Sequence, residues 1–279
     1  MLRVFGRHLF SDISRRILCE RWDLLQVSEA TWIFTKREVS DESECVFIRN
    51  TLPEATGDGS GLANDELVQS FNRYVDEFNE INSQNIKDGK TQPLEKSSAE
   101  FIEKASGVKS RYVQNKSGIL DTSFMRPNLR ERSEEELSNL AEMGVIAAQD
   151  AIKNANINAK DIDAVIVACS NLERAYPAIA IEIQNALGID GFAFDMNVAC
   201  SSATFGIQTI FDMVKTGSIK SAIMINPEIC TGHLNFKDRD CHFIFGDVAT
   251  AVIIERLEEN NIKENSYEII GARLFCLLY

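Results

Sequence analysis

Apolar residues fall into a clear helical rhythm from Asn64 onward, where Leu67, Val68, Phe71, Tyr74, Val75, Phe78 and Ile81 recur every three or four positions. Asn64 is a residue type that caps such a helix. The polar segment 82–96, with Gly89 and Pro93, predicts a loop, and a short helix over 98–105 should stop at Gly107. Residues 110–114 predict a strand, and the charged, turn-rich stretch 115–132 predicts a surface excursion. Ser133 and Glu136 then have capping-box spacing. Behind them Leu137, Leu140, Ala141, Val145, Ala148, Ala151 and Ile152 form one apolar stripe, so a helix should open at Ser133.

Strand and helix character alternate beyond this point, which implies a parallel or mixed sheet covered by helices. AVIVA (164–168) reads as a buried strand. Pro177 suits the first turn of a helix that Gly188 ends. Residues 192–198 predict the next strand, 201–215 a helix stopped by Gly217, and SAIMIN (221–226) another strand. Residues 243–245 and 250–255 look like paired strands around Gly246 and Asp247. No repeat of fixed period is visible.

Composition narrows the class. The 279 residues are 44% hydrophobic and 25% charged, the proportions of a globular protein. No apolar run reaches the roughly 18 to 20 residues of a membrane-spanning helix, so no span is expected. A net charge of −13 argues against nucleic acid as a partner, since that needs a positive surface. Seven cysteines at irregular spacing form no disulfide framework and point to a reducing, cytoplasmic compartment. The first 21 residues stand apart: Arg3, Arg7, Arg15, Arg16 and Arg21 face only Asp12 and Glu20. That is the composition of a mitochondrial presequence, and equally of an ordinary surface helix or leader.

The segment FAFDMNVACSSATFGIQTIFDMVKTG carries the chemistry. A strand runs into Cys200, small residues Ser201, Ser202 and Ala203 follow, and an amphipathic helix continues through Phe205, Ile207, Ile210, Phe211 and Val214. A thiol at the start of a helix lies near free amides and the positive dipole end, which favour a thiolate. The same amides can donate to the oxyanion formed when it attacks a thioester. Gly206 would let another backbone come close. A cysteine at such a junction can equally be a buried small residue.

NVACSSATFGIQ resembles the nucleophile segment of β-ketoacyl-[acyl-carrier-protein] synthase III enzymes. FIEKASGVKSRYV, DIDAVIVACS, AYPAIAIEIQNALGI and FIFGDVATAVIIER each resemble a further element of that family, in order, across about residues 64–270. The resemblance implies a thiolase-like α/β fold, here mainly its first βα half, with a mixed sheet and covering helices. It implies a decarboxylative condensation in which Cys200 takes the acyl group of acyl-CoA or an acyl-carrier thioester, and malonyl-acyl-carrier-protein then loses CO₂ and attacks it. Fatty-acid chain initiation, an acyl carrier protein as partner, a homodimer and no cofactor beyond these substrates follow from the same likeness.

The chain also departs from that pattern. The family's His and Asn come from the second half of the fold, which residues 64–279 do not supply; residues 1–63 read as an atypical N-terminal extension, unless CVFIRN is the remnant of the opening strand. A catalytically incomplete half-domain with a binding or assembly role is therefore the alternative. Phe101 and Ala105 stand where many members have a Trp and an Arg that grip the CoA adenine, so a carrier-bound primer becomes an option beside CoA. Lys109, Arg111, Arg126, Arg130 and Arg132 could touch an acidic carrier or simply form a solvated face. His233 and His242 have no spacing that places them beside Cys200. Cys230, His233, Cys241 and His242 lack the spacing of paired zinc knuckles, and no metal site is expected. Gly-x-Ser-x-Gly and the Rossmann and phosphate-loop glycine patterns are absent.

Overall fold

The computed structural model describes residues 22–27, 30–35, 46–51, 61–256 and 267–273. The arginine-rich start through residue 21, residues 56–60 of the glycine-rich lead and the closing FCLLY lie outside the described residues. In chain order the elements begin with β1 (Trp22–Val27), β2 (Ala30–Thr35), β3 (Val46–Thr51), β4 (Gly61–Ala63), α1 (Asn64–Ile81), α2 (Ser83–Lys87) and α3 (Ala99–Ser106). They continue with β5 (Ser110–Tyr112), α4 (Lys116–Leu120), α5 (Asn139–Ala155), β6 (Ala164–Ala168), α6 (Ile179–Leu187) and β7 (Phe192–Met196). The series ends with α7 (Ser202–Lys215), β8 (Ser221–Ile229), β9 (Asp247–Arg256) and β10 (Tyr267–Arg273). Among the described residues no helix is long and apolar enough to cross a membrane.

The chain forms two units, one of Met1–Leu52, Gly144–Pro227 and Thr250–Tyr279, the other of Pro53–Met143 and Glu228–Ala249. The first unit is built on an eight-stranded sheet in the order β1-β2-β10-β3-β9-β8-β6-β7. β6 runs parallel to both β7 and β8, whereas β3 pairs antiparallel with β9 and β10, which makes the sheet mixed. CVFIRN supplies most of β3, with Val46 opposite Arg256 and Asn50 opposite Val252. Every residue of AVIVA is buried, as its unbroken apolar run requires for a strand covered on both faces. Ile207, Ile210, Phe211 and Val214 of α7 pack on Ile166, Met224 and Ile254, so the helix's apolar stripe becomes the core of this unit.

The second unit packs α1 on α3, α4 and the β4–β5 pair around Leu62, Leu67, Phe71, Ile102, Ile119 and Phe236. Helix α3 is bounded as its residues dictate. Ser98 Oγ accepts from the Phe101 amide at 3.1 Å, and Gly107 takes the left-handed conformation at φ +76° that ends a helix.

Four boundaries differ from the pattern-based expectation. Asn64 does not cap α1; the capping residue is Ala63, whose amide donates to Glu66 Oε2 at 3.1 Å. The Asn64 side chain instead donates to the Val108 carbonyl and accepts from Arg111 Nη2 at 2.6 Å, a tertiary tie that takes precedence over capping. Helix α5 opens at Asn139 rather than Ser133. Glu136 does receive the Ser133 amide, but the Arg130 guanidinium grips it bidentately and holds its carboxyl at about 2. The buried Ser138 caps α5, accepting from the Ala141 amide at 3.2 Å. Pro177 lies two positions before α6, whose first amides are received by Asp195. Residues 243–245 form no strand: Phe243 turns into the core against Phe101, and β9 starts at Asp247. The segment 82–96 also carries a short helix, α2, before its turn at Gly89.

Candidate functional site

Cys200 stands in the loop between β7 and α7, beyond the carboxyl end of a strand in the parallel part of the sheet. In open α/β sheets this is the end where ligands bind. The strand ends around it are tied by polar bonds. The Cys169 amide donates to the Met196 carbonyl at 3.1 Å, its thiol donates to the Pro227 carbonyl at 2.9 Å, and Asn226 Nδ2 donates to the Ala168 carbonyl at 2.6 Å. Asp195, inside β7, accepts from the amides of Ile179 and Ala180 at 2.8 Å each. Burial raises its carboxyl above the ordinary value, against the pull of those two amides.

The turn presenting the thiol is built by two side chains. Asn197 Oδ1 accepts from the Ala199 amide and its Nδ2 donates to the Ser170 carbonyl, each at 2.9 Å. The buried Ser202 hydroxyl accepts from the Val198 amide at 2.9 Å and donates to the Ala199 carbonyl at 2.7 Å. Within this clamp Ala199 adopts φ +48°, a left-handed conformation that costs an L-residue about 1–2 kcal/mol. The result is an exposed Cys200 thiol, in contrast to the buried Cys169, so the buried-residue alternative does not describe Cys200. Its thiol accepts and donates no hydrogen bond among the described residues. At the start of α7 the Ser201 and Ser202 amides already donate to the Val198 and Ala199 carbonyls at 3.0 and 3.1 Å, which leaves the Ala203 and Thr204 amides as the first-turn donors without a partner inside the helix.

Gly206 performs a different job from the one its position suggested. A Cβ there would meet Met224 Sδ at 2.5 Å and Ala168 Cβ at 3.2 Å, so the glycine admits side chains, not another backbone. Asn197 was not singled out from the sequence, and Ser202 was read only as a small residue after Cys200. The available signal was positional: short polar residues just before and after a strand-to-helix turn are the types that bond to nearby backbone.

The remaining candidates lie in the second unit. Asp247 is 4% exposed and accepts from the Thr231 amide, the Thr231 hydroxyl and the Gln114 amide at 2.9, 2.7 and 2.8 Å. Burial raises its carboxyl despite those donors. His242 is fully buried between Phe71, with ring centroids 4.5 Å apart, and Phe243; its Nδ1 lies 3.0 Å from the Asp238 carbonyl and its Nε2 has no partner. Burial, with Arg111 and Arg239 nearby, lowers its pKa to about 4. Among the described residues no His, Cys, Asp and Glu group is arranged to hold a metal ion. Four of the five basic candidates are already engaged. Arg111 is buried on Asn64, Lys109 pairs with Glu103, Arg130 with Glu136, and Arg132 with Glu142. Arg126 alone of the five has neither an ion pair nor a side-chain hydrogen bond among the described residues; its guanidinium lies over the Phe124 ring. Phe101 is capped on its face by the Arg239 guanidinium at 4.1 Å, while Ala105 is exposed.

A family described as 3-Oxoacyl-[acyl-carrier-protein (ACP)] synthase III matches residues 194–272, a span that contains Cys200, α7 and β9. A β-ketodecanoyl-[acyl-carrier-protein] synthase of Pseudomonas aeruginosa is 56% identical over 207 residues, 74% of this chain and 59% of that protein. Over the matched residues, this chain belongs to the 3-oxoacyl-[acyl-carrier-protein] synthase III family. A β-ketoacyl-[acyl-carrier-protein] synthase III of Clostridium acetobutylicum is 35% identical over 172 residues, 59% of this chain and 53% of that protein. The chain thus spans less than two thirds of the length of these synthase III relatives. The crystal structure of 3-oxoacyl-(acyl carrier protein) synthase III from Pseudomonas aeruginosa PAO1 superposes with a TM-score of 0.54 at 20% identity, covering 80% of this chain and 55% of that one. At that identity the likeness establishes the fold, which is thiolase-like.

Proposed function

We propose that this chain carries the acyl-accepting site of a synthase III condensing enzyme, with Cys200 as nucleophile. The observation that carries the reading is an exposed thiol, held just ahead of a helix N-terminus by the Asn197 and Ser202 clamp. The Cys200 thiolate attacks the carbonyl of an acyl thioester, the α7 amides receive the oxyanion, and collapse expels the carrier thiolate, leaving an acyl–sulfur bond on Cys200. In the second half-reaction malonyl-acyl-carrier-protein loses CO₂, and the carbanion so formed attacks the acyl-Cys200 carbonyl and releases the thiolate of Cys200. The chain-initiating role in fatty-acid synthesis rests on the family.

The primer follows from the relative's name. A β-ketodecanoyl product has ten carbons, of which the malonyl unit supplies two, so the primer is octanoyl. The Phe101 ring, already stacked by Arg239, favours a carrier-bound thioester over one held through an adenine. The test is intact-mass measurement after exposure to octanoyl thioester: the chain gains one octanoyl group, and Cys200→Ser gains none. Octanoylation that persists in Cys200→Ser overturns the assignment.

A homodimer is part of the same reading. β7 is an edge strand of the sheet, and Phe192 on it is 44% exposed beside Phe194. An edge with open backbone groups and an exposed aromatic is a template for pairing with a second copy. Cys169, Cys200, Cys230 and Cys241 form no disulfide among the described residues, which fits a cytoplasmic setting.

A further inference from the structure

Within the second unit the segment Ser123–Arg126 and the loop Gly232–Lys237 enclose an open depression of about 450 Å³. Its ionisable side chains are Arg126, His233 and Lys237, and its lining contains no carboxylate. In a chain of net charge −13 that is a local reversal of sign. The two cations are displayed on aromatic rings instead of being neutralised. The Arg126 guanidinium lies 4.3 Å from the centroid of the Phe124 ring, and Lys237 Nζ lies 5.3 Å from that of Tyr74. Lys237 also donates to the Ser123 carbonyl at 3.4 Å, which ties the two walls together. Neither cation has an ion-pair partner among the described residues, whereas Lys109, Arg130 and Arg132 all do. Phe124 is 37% exposed beside them.

An exposed aromatic flanked by unpaired Arg and Lys on an open surface is the composition of a protein-docking patch. We infer that this depression is where the acidic acyl carrier protein docks, its carboxylates meeting Arg126 and Lys237. The inference rests on the condensing-enzyme reading for its partner and adds the surface. It also accounts for how an acidic chain receives an acidic partner, since a basic patch steers encounter even when both net charges are negative.

The test separates docking from acyl transfer by working in the Cys200→Ser background, where no transfer through that sulfur takes place. Purified octanoyl-acyl carrier protein is titrated calorimetrically into Cys200→Ser, into Cys200→Ser with Arg126→Glu and Lys237→Glu, and into Cys200→Ser with Lys160→Glu. Lys160 is exposed in the other unit and serves as the matched charge reversal. The Arg126/Lys237 reversal should weaken binding by about tenfold or more and flatten its salt dependence, with Lys160→Glu within about twofold of its parent. Arg126→Glu alone, at an exposed position, should give a smaller loss in the same direction. Equal affinity in all chains, an equal loss in Lys160→Glu, or no binding by the parent would overturn the assignment. None of these outcomes bears on whether Cys200 is octanoylated, which the mass measurement reads separately.

Discussion

The Ser202 hydroxyl bridges the two peptide units ahead of Cys200, accepting from the Val198 amide at 2.9 Å and returning a hydrogen bond to the Ala199 carbonyl at 2.7 Å. Ser202 is also the first residue of α7, so one side chain locks the turn ahead of Cys200 to the start of that helix. Ser202→Ala removes both bonds. Water can partly replace the one to Val198, which is 37% exposed, so the expected loss of stability is about 1–2 kcal/mol in urea unfolding. The alkylation rate of Cys200 by iodoacetamide should change more than that of Cys230, which lies on a separate turn. Equal changes at both thiols would show that Ser202 does not position Cys200.

Ala199 tests the same turn from the backbone side. Its φ of +48° places an L-residue where glycine is at ease. Ala199→Gly relieves roughly 1–2 kcal/mol of Cβ strain and gives back about 0.5–1 kcal/mol through the freer unfolded chain, so a small net stabilisation is expected. Ala199→Val places a β-branched side chain in the same region and should destabilise by about 2 kcal/mol or more. Midpoints of urea unfolding that rank Val above Gly would contradict the strained turn.

Much of this arrangement was legible before any coordinates. AVIVA could only be a strand buried on both faces, Gly107 and Gly188 ended their helices at positive φ, and the stripe of α7 faced the core as its spacing required. Where the reading failed, a local signal met a stronger tertiary one. Asn64 has the chemistry of a cap, but Val108 and the buried Arg111 claim its side chain. Ser133 and Glu136 have the spacing of a capping box, yet Arg130 takes Glu136 and the buried Ser138 caps the helix. Residues 243–245 have strand composition, but the His242 and Phe243 rings turn inward onto Phe71 and Phe101. The position of Cys200 between a strand and a helix was legible because a strand running into small residues and an amphipathic stripe is a local pattern. The clamp around it was not, because hydrogen bonds to loop carbonyls leave no periodicity.

The buried imidazole of His242 should write itself into the pH dependence of stability. Its folded pKa of about 4 lies below the ordinary value of 6.5, so the unfolded chain binds more protons across that interval. The stability it leaves intact at neutral pH is therefore lost as pH falls from about 6.5 toward 4, by at most about 3 kcal/mol at 1.36 kcal/mol per unit. Arg111 and Arg239 oppose the added proton, and the Asp238 carbonyl and carboxylate favour it less strongly than burial resists it. Asp195 and Asp247, whose carboxyls burial raises above the ordinary value, act in the opposite sense as pH falls through their raised values, so the wild-type curve alone mixes the contributions. His242→Phe separates them, because it keeps a ring against Phe71 and removes the titration. Urea unfolding at pH 7, 6, 5 and 4 should show a steeper decline for the wild type than for His242→Phe, the gap widening as pH falls; parallel curves would mean that the imidazole takes up its proton in the folded chain without cost.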